Sequence, residues 1–140
     1  MQKWIVISLI AWVSMLQAYS QKKLSREEFI AKKHAYIAQR ACLTEKESAQ
    51  FFPLYSEMCS KINTLNWSIA HNEREMGKGK HTEAEYDQVM NRINDSRIEA
   101  AKVEKTYYEK YKKILSSEKI YKIHMAEIEF HRSILKGKVR

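Results

Sequence analysis

Three glycines and one proline in 140 residues leave very few places where this chain can turn sharply. Average sequences hold about 12% of the two residues together, and a sandwich or barrel needs turn residues every 8–12 positions or so. A turn-rich all-β architecture is therefore excluded. Hydrophobic residues make up 44% of the chain and charged residues 30%, too apolar a mixture for a disordered polypeptide and well suited to amphipathic helix. The expected fold class is all-α.

The helix starts are written in the sequence. Ser25 with Glu28, Thr44 with Glu47 and Thr82 with Glu85 have capping-box spacing, in which the hydroxyl takes the N3 amide and the glutamate reaches back to the cap amide. Together with the apolar spacing they predict helices over about 25–40, 45–75, 83–114 and 118–136. The second carries Phe51, Tyr55, Met58, Ile62, Leu65 and Ile69, spaced 4-3-4-3-4 along one face. Pro53 falls inside it and should kink it. The third carries Tyr86, Val89/Met90, Ile93, Ala100, Val103, Tyr107, Tyr111 and Ile114. The fourth turns Ile120, Ile123, Phe130 and Ile134 inward, and Gly137 is placed to stop it. Between the second and third helices lies the one real loop, residues 77–81. Two helices of about 45–50 Å in so short a chain predict an extended four-helix hairpin or cradle. Such a shape buries little on its own, so an antiparallel homodimer is expected.

Met1 to Ser20 reads as a secretory signal peptide. Lys3 supplies a small positive start, Trp4 to Leu16 is apolar apart from Ser8 and Ser14, and Ala18 and Ser20 put small residues at −3 and −1 of a cut before Gln21. The apolar run is too short for the roughly 20 residues that span a bilayer, so no stable membrane insertion is expected after cleavage. Residues 21–140 would form a single all-helical domain in the periplasm. Export also shapes the reading of the +8 net charge. An exported protein does not ordinarily meet genomic DNA, so nucleic acid is not the expected partner.

Export places Cys42 and Cys59 in an oxidising compartment, yet fifteen helical residues from Thr44 to Cys59 put them about 22 Å apart, beyond the ~7 Å that a disulfide tolerates. Two small buried hydrophobes is the plainer reading, with an intermolecular bridge through Cys42 as the other.

Catalytic constellations are missing: no GxSxG, no phosphate-cradling glycine loop, no HExxH and no CxxC. Neither an enzyme nor a cofactor is expected. His124, Glu127 and His131 share one face of the fourth helix and could contribute to a zinc site, but only with a further ligand and orienting partners. The alternative is three polar residues edging the core stripe. A second cluster is richer. Tyr108 and Tyr121 lie off the core stripes among many lysines, including Lys105, Lys112 and Lys119. Lysine stems and tyrosine rings can cover apolar segments of a partner polypeptide while their polar tips stay wet. These five residues are the candidate client-binding set, the alternative being a solvated helix face.

Two helix starts carry one further pattern. Leu43-Thr44-Glu45-Lys46-Glu47 and Leu115-Ser116-Ser117-Glu118-Lys119 resemble the paired motifs of the Spy/CpxP-like, or LTXXQ-motif, periplasmic proteins. Glu and Lys stand at the final Gln positions, and Ser stands for Thr in the second. Phe51-Phe52-Pro53-Leu54-Tyr55 is similar to an aromatic-Pro-x-Tyr segment in some members. The resemblance spans roughly residues 27 to 136. It implies a four-helix, cradle-shaped antiparallel dimer that binds unfolded or stress-related proteins without ATP. It also leaves a second role open, a stress- or metal-responsive regulatory subunit acting on one dedicated membrane sensor.

Overall fold

A computed structural model describes residues 25–137. The signal peptide expected over residues 1–20 lies outside the described residues. Four helices follow one another: α1 (Arg26–Arg40), α2 (Glu45–Met76), α3 (Glu83–Tyr111) and α4 (Ser117–Leu135). The described residues contain no strand, and the protein is all-α. The chain divides into two compact units, Met1–Lys32 and Lys33–Arg140.

In the first unit the Ser25–Glu28 start forms as its spacing demands. The Glu28 amide donates to the Ser25 hydroxyl at 3.1 Å, and the Ser25 amide donates to the Glu28 carboxylate at 2.8 Å.

The second unit holds the core. Complete capping boxes open α2 and α3. The Glu47 amide donates to Thr44 Oγ1 at 3.2 Å while Glu47 Oε2 accepts from the Thr44 amide at 2.8 Å, and Thr82 and Glu85 repeat the pattern. The two helices pack against each other and join through a tight turn in which Gly79 takes a positive φ of 80°, a conformation that disfavours any side chain. At the other end of this hairpin, α4 and the last two turns of α1 complete a cluster of Ile37, Ala41, Phe51, Tyr55, Tyr107, Tyr111, Leu115, Ile123 and Ala126. Each large apolar side chain taken wholly out of water there stabilises the fold by about 1.5–3 kcal/mol. Gly137, at φ 66°, ends α4 in the left-handed conformation typical of a helix stop.

Several expectations need correction. The third helix stops at Tyr111 rather than Ile114. Its last residues tighten into turns, with the Leu115 amide donating to the Tyr111 carbonyl at 2.9 Å, and this folds Leu115 back into the core at 6% exposure. The α3 stripe is buried at Val89, Ile93, Tyr107 and Tyr111, but Tyr86 and Met90 are exposed. Among the described residues, the facing helix is what packs against α3 in that half of the hairpin. Pro53 does lie inside α2, which continues past it as one helix to Met76. Ala49 and Pro53 are both exposed, so the carbonyl that loses its donor can be hydrated. Cys42 is not a buried hydrophobe: it is exposed, at φ 51°, in the turn after α1. Cys59 is half-buried, and both thiols are free.

Candidate functional site

The two motif-like helix starts meet in space. Leu115 is buried in the core cluster, and Leu43 packs against it half-buried. Ser116 caps α4 by accepting from the Lys119 amide at 3.3 Å. Here the N3 residue is lysine, so no reciprocal bond to the cap forms. The Lys119 ammonium reaches Glu47 instead, donating to Oε1 at 2.8 Å and to Oε2 at 2.6 Å. One carboxylate thereby holds its own helix cap and pins the start of α4 to the start of α2. The Lys119 bonds, foremost, and the Thr44 amide keep the Glu47 carboxyl below its usual range. The residues standing where the resembling motif has glutamine are therefore a matched pair of opposite charge.

This pairing splits the candidate client-binding set. Lys119 belongs to the scaffold and is only partly exposed. Lys112 is tied to Glu109 at 2.7 Å and lies over the Tyr108 ring, 5.1 Å from its centroid. Lys105 is exposed and makes no ion pair with another described residue. The two tyrosines do come together. Tyr108 at 40% exposure and Tyr121 at 64% line one open groove of about 420 Å³, built from α2, α3 and α4. Its floor is Tyr55, Met58, Tyr111, Ile120 and Ile123, and its polar lining is Glu104, Ser117, His124 and Glu127.

Residues singled out for metal are thus distributed differently from their helical spacing. His124 and Glu127 both line the groove, whereas His131 does not. Glu127 faces Lys33, 3.3 Å away, and accepts a hydrogen bond from the Tyr55 hydroxyl. Lys33 also lies over the Tyr55 ring at 5.1 Å. Among the described residues, no three His, Cys, Asp or Glu side chains are placed to share a metal ion. Burial, and next the Glu127 charge, push the Tyr55 phenol well above its ordinary range, so it is a donor and not a base. His34 packs beside this cluster, stacked on Phe52 with ring centroids 4.2 Å apart. Burial chiefly, and Lys33 after it, lower its pKa and favour the neutral ring.

Sequence reading missed Glu104. Its signal was the spacing Glu104, Tyr108, Tyr111, which runs 4-3 down α3 and puts all three on one face. Tyr121, His124 and Glu127, at steps of three, do the same on α4. A further trio, missed because its members are far apart in sequence, joins α1 to α4: the Tyr36 hydroxyl donates to Glu129 at 3.1 Å, and the Arg40 guanidinium donates through Nε to the same oxygen at 2.9 Å.

Chemically, the groove offers rings, a thioether and carboxylates, an assembly suited to holding side chains by contact. No helix among the described residues is long and apolar enough to cross a membrane. No family model, curated protein or solved structure matches the chain.

Proposed function

We propose that this protein is an exported, periplasmic binding protein that holds unfolded or stress-damaged polypeptides without ATP, working as a homodimer. The observation that carries this reading is the apolar surface left open on an otherwise complete fold. Tyr108 and Tyr121 edge a groove over the core, and Trp67, Met90 and Ile98 are at least half-exposed on the α2–α3 hairpin. Exposed apolar side chains gathered around an open groove mark a binding surface. The lysine-rich surface round the end of α3 supports it by speeding the capture of charged chains. Within that surface Lys105 and Lys112 are the candidate capture residues, and Lys119 is assigned to the scaffold.

An aggregation assay tests this reading. Two or three chemically denatured proteins of unrelated fold are diluted into buffer with the purified protein near equimolar ratio and no nucleotide. Suppressed light scattering for all of them is the expected result. Scattering unchanged for every client, with tight binding to one membrane protein instead, would replace the chaperone reading with the regulatory one. Export has its own check: the N-terminus of envelope material, read by mass spectrometry, should be Gln21.

A further inference from the structure

The groove over the core has a charge sign opposite to that of the chain. Lysine and arginine outnumber aspartate and glutamate by 25 to 17, yet the groove lining includes two glutamates, Glu104 and Glu127, and neither a lysine nor an arginine. The two carboxylates are not equivalent. Glu127 is already engaged by Lys33 and Tyr55. Glu104 is exposed and makes no ion pair with another described residue. It stands one helical turn from Tyr108, whose ring is 40% exposed and carries Lys112, itself paired with Glu109, over one face. Tyrosine faces attract cations through their negative π surface, and a carboxylate beside them adds a charge-assisted acceptor. Beneath lie Met58 and Ile123, which reward an apolar body. A volume of about 420 Å³ is within the range of pockets that enclose a few side chains or a small ligand.

We infer that this groove takes a polypeptide segment in which an apolar side chain neighbours a lysine or arginine, the apolar group entering over Met58 and Ile123 and the cation settling between Glu104 and the rings of Tyr108 and Tyr121. The inference rests on the protein-binding reading above and names the client chemistry for this one site. The lysines near the end of α3 favour acidic clients at long range, whereas the groove itself selects basic ones at contact. Both act together on clients of mixed charge, because screening beyond about 8 Å at physiological salt confines the lysines to encounter.

The test uses the purified full chain and three fluorescein-labelled peptides with the same alternating leucines, separated by lysine, glutamine or glutamate. Anisotropy titrations at physiological salt should rank lysine above glutamine and glutamine above glutamate. Glu104→Gln, at an exposed site with no ion pair to another described residue, should weaken the lysine peptide about threefold to fivefold and leave the glutamine peptide unchanged. Tyr121→Ser, which removes one of the rings that receive the cation, should weaken the lysine peptide more than the glutamine peptide. Glutamate bound as tightly as lysine, or an unchanged lysine affinity in Glu104→Gln, overturns the assignment. Aggregation suppression measured on the same preparations separates the two readings. Suppression without lysine preference overturns the groove assignment alone, and lysine preference without suppression overturns the chaperone reading alone.

Discussion

Replacing Thr44 by alanine isolates the value of one helix start. The hydroxyl removed accepts a single bond, the 3.2 Å contact from the Glu47 amide. Loss of a threonine cap costs about 0.5–2 kcal/mol in general. The structure places this case near the middle of that range. The other half of the box survives, because Lys119 holds the Glu47 carboxylate with two bonds and the Thr44 amide keeps its acceptor. A loss of about 1 kcal/mol should lower Tm by about 4 °C in a chain of this size. Thr82→Ala removes the same kind of bond from the start of α3, but next to the hairpin turn, where Tyr86 and Met90 are exposed. That end can fray without opening the core, so its Tm should fall by less than half as much. Calorimetry on both variants checks the pair. Equal shifts, or a Thr44→Ala protein within about 0.5 °C of wild type, would refute the idea that the α2 start is braced by α4.

Lys119→Gln should reduce the acid sensitivity of the fold. The Lys119 bonds hold the Glu47 carboxyl below its ordinary range in the folded state, so the stability it contributes is present at neutral pH and disappears as pH falls through the lowered folded value. The Tm difference between wild type and variant, measured at pH 7 and again near pH 3, should shrink at the lower pH, and a constant difference would show that Lys119 acts through packing alone. Phe51→Ala, at 0% exposure with the Tyr55 and Tyr111 rings against it at 5.4 and 4.8 Å, should cost about 3–5 kcal/mol in urea unfolding; a loss under about 1 kcal/mol would mean the site collapses freely. Native alkylation followed by mass spectrometry should add one label quickly at Cys42. Cys59 should lag, being half-buried with a thiol whose pKa burial raises, and equal rates would contradict the packing around it.

The helices were legible because their signals are local. A hydroxyl three residues before a glutamate, a 3-4 apolar spacing and a final glycine each act within one or two turns, and α1, α2 and α4 begin and end within a residue of where those signals put them. Tyr86 and Met90 were misread for the complementary reason. Periodicity reports that a face is apolar but not how much of it is covered, and among the described residues the far half of α3 packs against α2. The Glu47–Lys119 bond joins residues 72 apart, so it follows from where two helix starts land rather than from either start. The groove was half visible: Tyr108 and Tyr121 stood out by failing to fit a core stripe, whereas Glu104 resembled any exposed helix glutamate until the opposing helix gave it a setting.

The uneven distribution of the core along α2 and α3 also has a consequence for how the native state opens. Phe51, Tyr55, Tyr107 and Tyr111 sit at one end of these two long helices, in contact with residues of α1 and α4, while the other end buries only Val89 and Ile93. A single helix therefore carries two very different local unfolding free energies. Deuterium should enter the backbone amides between about Ile69 and Glu85 through sub-global openings long before it reaches those flanking Phe51 and Tyr107, which exchange only when the whole unit unfolds. The rungs of one continuous hydrogen-bond ladder would then exchange at graded rates, with Trp67, the most exposed apolar group of the hairpin, on the looser half of α2.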